Sequence, residues 1–238
     1  MNKLLHVGLD VGSTTVKIVV MNEQLETIYT DYTRHYSDTK NTVCNVLDSL
    51  AKNYKDYDFT IALTGSGAMS AAKFLDVPFI QEVVSCKRAV EKYIPKTDVV
   101  IELGGEDAKI IYFGKSIEQR MNGTCAGGTG AFIDQMASLL NTDASGLNEL
   151  AKKHKIIYPI ASRCGVFAKT DIQPLINEGA AKEDIAASIF QAVVNQTISG
   201  LACGRPIRGN IAFLGGPLNY LSELRNRFIE TLHLTDDQ

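Results

Sequence analysis

The sequence predicts an α/β fold built from two similar halves, and three observations lead there. The order strand, glycine turn, strand, strand, helix begins near residue 3 and begins again near residue 98. Each repeat carries an acid at the end of its first strand, then glycines, then a lysine: Gly8-Leu-Asp-Val-Gly-Ser-Thr-Thr-Val-Lys17 and Glu102-Leu-Gly-Gly-Glu-Asp-Ala-Lys109. Strands and helical periods then mix in an order that puts helices outside sheets.

Taken in order, residues 4–9 are apolar, 16–20 are β-branched, and 25–32 are mixed, as in an edge strand. Val43, Val46, Leu47, Leu50 and Tyr54 recur at helical spacing across residues 39–54. Residues 59–63 form a short strand, followed by Thr64-Gly-Ser-Gly67 and a helix over 68–74. A helix over 82–93 stops before Pro95, and the halves join near residues 94–96. The first lobe is expected over 1–94 and the second over 95–238.

In the second half, strands are expected at 99–103, 109–113 and 117–121, and helices at 130–140, 147–154, 166–178 and 182–201. A last strand at 210–214 leads through Gly215-Gly216-Pro217 into a helix over 218–232. No closing strand and helix follow, so the second lobe is expected to lack its C-terminal end, as in a fragment of a longer chain.

The 238 residues carry a formal net charge of −3 and no Lys/Arg run longer than two, which gives no footprint for nucleic acid. The apolar stretches read as strand-length, short of the roughly 20 residues of a membrane span. The amino terminus enters a strand pattern without a signal-peptide layout, so a soluble cytoplasmic protein with no membrane partner is expected. Five cysteines, an odd number with no C-x-x-C, speak against a disulfide framework or a zinc ribbon.

The chemistry sits in the glycine turns. Glycine lets backbone approach phosphate closely, and successive amides with the hydroxyls of Ser13, Thr14 and Thr15 can cradle oxygens beside Gly12. Asp10 is placed to hold Mg²⁺ through water, and Lys17 to neutralise phosphate charge. Glu102, Gly104, Gly105, Glu106 and Asp107 repeat that arrangement, and two such turns facing one another can clamp a triphosphate. Gly215 and Gly216 leave room for a flat ring such as adenine. Read singly, each turn is equally an ordinary structural hairpin.

Two cysteines are framed by glycines: Cys125 in Asn122-Gly-Thr-Cys-Ala-Gly-Gly-Thr-Gly130, and Cys164 in Ser162-Arg-Cys-Gly-Val-Phe-Ala168. Both precede helices, whose N-termini favour thiolates and anionic groups. A 4Fe–4S cluster takes four thiolates, and a two-fold dimer of a chain offering two would complete the set. The alternative for both is a small buried residue, the usual fate of free cysteine. Cys44, Cys86 and Cys203 read as structural, and His6, His35, His154 and His233 are scattered and carry no assigned chemistry.

At these motifs the chain resembles the ATP-dependent activators of 2-hydroxyacyl-CoA dehydratases and the related ATPase subunits of benzoyl-CoA reductase. Those belong to the actin, sugar-kinase and heat-shock ATPase superfamily. Beyond the turns and cysteine segments already quoted, the resemblance includes Leu214-Gly-Gly-Pro-Leu-Asn219 and spans nearly the whole chain. It implies a two-lobed actin-like ATPase (ribonuclease H-like) fold with a nucleotide cleft between lobes. It also implies ATP with Mg²⁺ there, held in part by Gly127, Gly128 and Thr129. Further implied are a homodimer sharing one 4Fe–4S cluster on Cys125 and Cys164, and one low-potential electron passed to a dehydratase or reductase component. Where the family commonly shows Asp-Ile-Gly-Gly-Gln-Asp, this chain has Glu102-Leu-Gly-Gly-Glu106-Asp107. A sugar-type kinase of the same superfamily, and a nucleotide-gated regulatory module without a cluster, are the other two readings.

Overall fold

The computed structural model describes residues 3–114, 116–122, 127–161 and 165–235. The chain divides into two compact units, Met1–Pro95 and Lys96–Gln238.

The first unit holds β1 (Lys3–Val11), β2 (Thr15–Met21), β3 (Thr27–Arg34) and β4 (Tyr57–Thr64) in one sheet of order β3-β2-β1-β4. β1, β2 and β3 form an antiparallel meander, and β4 runs parallel to β1. A parallel neighbour requires a crossover, which α1 (Thr39–Asn53) supplies. Leu5, Val7, Leu9 and Val11 alternate on the buried side of β1 and join Val43, Val46 and Leu50 of α1 in one core. Asp38 caps α1 by accepting the Asn41 amide. α2 (Ala68–Leu75) and α3 (Glu82–Tyr93) complete the unit.

The second unit repeats the plan. β5 (Val99–Leu103), β6 (Ala108–Tyr112), β7 (Glu118–Met121) and β8 (Ile211–Leu214) lie in the order β7-β6-β5-β8, with β8 parallel to β5. Every residue of β6 is buried, as expected for a strand covered on both faces. α4 (Gly130–Leu139), α5 (Ala144–Ala151), α6 (Gly165–Asn177) and α7 (Lys182–Thr197) follow, then α8 (Gly216–Tyr220) and α9 (Ser222–Leu232). Phe190 and Phe228 are the largest fully buried side chains of this unit's separate core. Asp184 on α7 is buried, and the Lys155 and Ile156 amides, at 2.6 and 3.0 Å, hold its carboxyl below the usual range.

Two helices differ from the sequence expectation. The helix expected over 182–201 ends at Thr197 and passes into a π turn over Ile198–Ala202, closed by Cys203 at φ 47°. Over Lys182–Ala202 it is long and apolar enough to match a membrane span, contrary to the strand-length reading of the apolar stretches. Two thirds of its most apolar stretch is buried within the protein, and that burial accounts for the composition. The helix expected over 218–232 is broken at Leu221, whose extended backbone (ψ 91°) separates α8 from α9. Cys44 and Cys203, read as structural, are exposed rather than packed in a core.

Candidate functional site

Asp10 lies at the penultimate position of β1 and faces Lys17 across the hairpin, as its registered partner on β2. Lys17 Nζ is 2.7 Å from Asp10 Oδ2. The other oxygen, Oδ1, is buried and has no hydrogen-bond partner. Beside it stands Gly65 at φ +100°, where a Cβ would run into Asp10 Oδ1 and the Val11 carbonyl. The Gly67 amide donates to that Val11 carbonyl at 2.8 Å. A buried carboxylate oxygen without a donor is costly. The water shell of a bound Mg²⁺ would satisfy it, so the residues present fit that ion.

Between β1 and β2 the chain closes through the Gly12 amide, which donates to the Thr15 carbonyl at 2.9 Å. Ser13 is exposed, Thr14 half-buried and Thr15 buried. His35, which was assigned no chemistry, is buried at 6% exposure against this turn. Its backbone amide donates to the Thr14 carbonyl at 3.1 Å, and its ring Nε2 lies 3.2 Å from the Gly12 carbonyl. A lone histidine after a strand carries no signal of such a contact in the sequence. The Gly65–Gly67 backing of Asp10 had one, because Thr-Gly-Ser-Gly ends a strand parallel to β1.

The second turn has the same layout with different side chains. Glu102 pairs in register with Lys109. The Lys109 side chain, 4% exposed, holds its Nζ 2.7 Å from Asp107 Oδ2 and 3.6 Å from Glu102 Oε1. The Gly104 amide donates to the Asp107 carbonyl at 2.7 Å, and a Cβ on Gly104 would collide with Asp107 Oδ1. Glu106 is exposed at the tip. The carbonyls of Gly104 and Gly105 accept the amides of Gly130 and Ala131, at 3.0 and 2.8 Å, in the first turn of α4. Gly215, at φ +89°, sits where a Cβ would strike the Leu103 carbonyl, so the turn into α8 packs directly on the end of β5. Gly216 is the first residue of α8.

Thr129 is fully buried as the N-cap of α4, its hydroxyl accepting the Phe132 amide at 3.5 Å. Gly128, at φ +80°, lies against Gln196 and Thr197 of α7. Gly127 helps line a cavity of about 170 Å³ with Ala108, Asn122, Gln196 and Thr197. Cys125 and Cys164 lie outside the described residues. Next in the chain after Cys164, Gly165 opens α6 within 3.6 Å of the Phe132 ring and 3.7 Å of Gln135 Oε1, measured from where its Cβ would be. The start of α6 therefore stands against the early turns of α4. Val166 and Phe167 beside it are exposed at 69% and 65%. Among the described residues, no three His, Cys, Asp or Glu groups converge as a metal site.

The model of the BadF/BadG/BcrA/BcrD ATPase family matches residues 7–231. The (R)-2-hydroxyglutaryl-CoA dehydratase activating ATPase of Acidaminococcus fermentans is 32% identical over 215 residues, covering 88% of this chain and 81% of that protein. The 2-hydroxyisocaproyl-CoA dehydratase activator of Clostridioides difficile is 30% identical, covering 88% and 79%. The crystal structure of the Acidaminococcus fermentans (R)-2-hydroxyglutaryl-CoA dehydratase component A superposes with a TM-score of 0.87 at 26% identity, covering 98% of this chain and 90% of that one. The activator of the 2-hydroxyisocaproyl-CoA dehydratase from Clostridium difficile, solved with bound ADPNP, gives 0.82 at 26% identity, covering 96% and 86%. The fold is the α/β actin-like ATPase fold expected from the sequence. This chain belongs to the BadF/BadG/BcrA/BcrD ATPase family.

Proposed function

We propose that the chain is a cytoplasmic, ATP-hydrolysing reductive activator that delivers one low-potential electron to a 2-hydroxyacyl-CoA dehydratase or a related CoA-thioester reductase. The observation that carries the nucleotide half of this reading is the repeated acid–lysine hairpin, Asp10 with Lys17 and Glu102 with Lys109. In this reading Lys17 neutralises phosphate charge, and Asp10 holds Mg²⁺ through water at its unpartnered oxygen. Gly104–Asp107 and Gly127–Thr129 hold the rest of the nucleotide, and Gly215-Gly216 admit the base. The relative solved with ADPNP supports a nucleotide ligand of this class.

The electron-transfer half rests on Cys125 and Cys164. One homodimer holds one 4Fe–4S cluster on two cysteines from each chain, and when bound that cluster supplies one-electron chemistry at low potential. The start of α6 standing against α4 supports the pairing, because it brings the residue after Cys164 to the helix that follows the Cys125 segment. Helix N-termini such as those of α4 and α6 favour anionic groups beside them. The exposed Val166 and Phe167 beside it suit an interface.

Anaerobic purification with iron and sulfide analysis, alongside an ATPase assay, tests the reading. Four irons and four sulfides per dimer with slow Mg²⁺-dependent hydrolysis is the expected result. ADP release stimulated by added sugars or polyols, without iron, would assign the chain to the kinase branch instead.

A further inference from the structure

We infer that His35 is a positioning residue for the phosphate turn of the first unit, and that it sets the direction in which the Ser13 amide points. This rests on reading residues 10–17 as a phosphate site.

In a trans peptide the carbonyl and the following amide point in opposite directions. The Gly12 carbonyl faces the His35 ring, with Nε2 at 3.2 Å. The Ser13 amide, which shares that peptide plane, therefore faces away from the ring, at the exposed tip of the turn. That is the donor an oxyanion needs. The His35 backbone amide holds the Thr14 carbonyl at 3.1 Å, so one residue fixes the turn from both its main chain and its side chain.

The ring has one usable protonation pattern. The Ser37 amide donates to Nδ1 at 3.1 Å, so Nδ1 carries a lone pair and the proton sits on Nε2, aimed at the Gly12 carbonyl. Bringing the Ser37 amide there requires a tight turn through Tyr36 at φ 46° and Ser37 at φ 68°, closed by the Asp38 amide on the His35 carbonyl at 2.7 Å. Two consecutive non-glycine residues in the left-handed region are unfavourable and persist only where the surroundings determine them. Tyr36 is 82% exposed, with the Arg34 guanidinium 5.7 Å from its ring centre, and the hydrogen bonds to His35 close the turn.

The test compares His35→Gln, whose amide nitrogen can replace Nε2–H, with His35→Asn, which can replace only the acceptor at Nδ1. Calorimetric titration should show ATP binding weakened about tenfold in His35→Asn and by less than about threefold in His35→Gln, the loss of one buried hydrogen bond. Equal losses in both variants, or none in either, overturn the inference. Ser13→Pro, which removes the amide, separates the two levels. If it leaves ATP affinity unchanged, the phosphate-turn reading falls; if it weakens ATP binding while both His35 variants match the parent, only the role of His35 falls. Should His35→Asn fail to fold, imidazole ¹⁵N shifts of the unmodified protein carry the test. A neutral Nε2–H tautomer, with and without ADPNP, is expected, and an Nδ1–H tautomer overturns the inference.

Discussion

The Gly130 amide donates to the Gly104 carbonyl at 3.0 Å, so the first turn of α4 hangs from the glycine turn at the end of β5. Ala131 repeats the contact with Gly105 at 2.8 Å. A helix leaves its first amides without intrahelical partners, and here the turn supplies them. Any shift of Gly104 and Gly105 thereby reaches the helix that follows Cys125 without passing through a side chain.

Gly130→Pro isolates that contact. Proline is well tolerated at the first helical position, and Thr129 before it is already extended (φ −117°, ψ 171°), so α4 itself should survive. The ring takes the place of the donated hydrogen and displaces the Gly104 turn. ATP hydrolysis should fall at least about tenfold while far-ultraviolet circular dichroism stays unchanged, the effect of losing a buried hydrogen bond at a nucleotide turn. Unaltered turnover would show that the contact transmits nothing.

Asp10→Asn keeps the shape and removes the charge. Mg²⁺-dependent hydrolysis should drop on the order of 100-fold, typical of losing one electrostatic group in a phosphoryl-transfer site. Affinity for Mg²⁺-free ADP should change by no more than a few-fold. A magnesium titration of turnover distinguishes this from general damage, and a curve like that of the parent protein would remove Asp10 from the metal site.

Cys125→Ser and Cys164→Ser should each abolish the iron chromophore of anaerobically prepared protein and all electron transfer. Nucleotide affinity should stay within about twofold, because no thiol is asked to touch the nucleotide. Absorbance near the iron–sulfur bands, read beside a binding titration, decides it. Full iron content in either variant would exclude that cysteine as a ligand.

The two halves were legible because the same turn occurs twice in the sequence, and a repeated acid–glycine–lysine pattern is hard to produce by packing alone. The end of α7 was not legible. Ile198 and Leu201 continue the apolar character of the helix, and a π turn adds one residue to a turn without changing composition. His35 was hidden for a related reason: the left-handed pair Tyr36 and Ser37 that orients it contains no glycine to announce the turn. Cys125 and Cys164 stood out by their frames, yet 39 residues of separation say nothing about distance in space. α4, α5 and α6 all pack on α7, and that shared packing is not written in the spacing of the cysteines.

Acid should act through Asp184. Its carboxyl titrates below the ordinary range because two amides, Lys155 and Ile156, donate to it in the folded state. The charged form is thus favoured by folding. The resulting stability is present above the unfolded value of about 3.9 and is lost as pH falls through the lower folded value. Asp184→Asn should therefore be less stable than the parent at neutral pH, with the gap closing as pH falls from about 5 towards 2. Urea unfolding across that window checks it; a gap that is constant with pH would show that the charge contributes nothing.

The two glycine turns conceal nearly all of their acceptors. In the first, the carbonyls of Val11, Gly12, Thr14 and Thr15 are taken by Gly67, His35 Nε2, the His35 amide and Gly12. In the second, those of Gly104, Gly105 and Asp107 are taken by Gly130, Ala131 and Gly104. A backbone whose oxygens are already engaged offers a visitor mainly hydrogens. Such a surface sorts solutes by the sign of their lone pairs: it welcomes an oxyanion stripped of water and gives an ammonium or a sugar hydroxyl little backbone oxygen to hold. Discrimination of this kind needs no closing movement, since it is present before any ligand arrives.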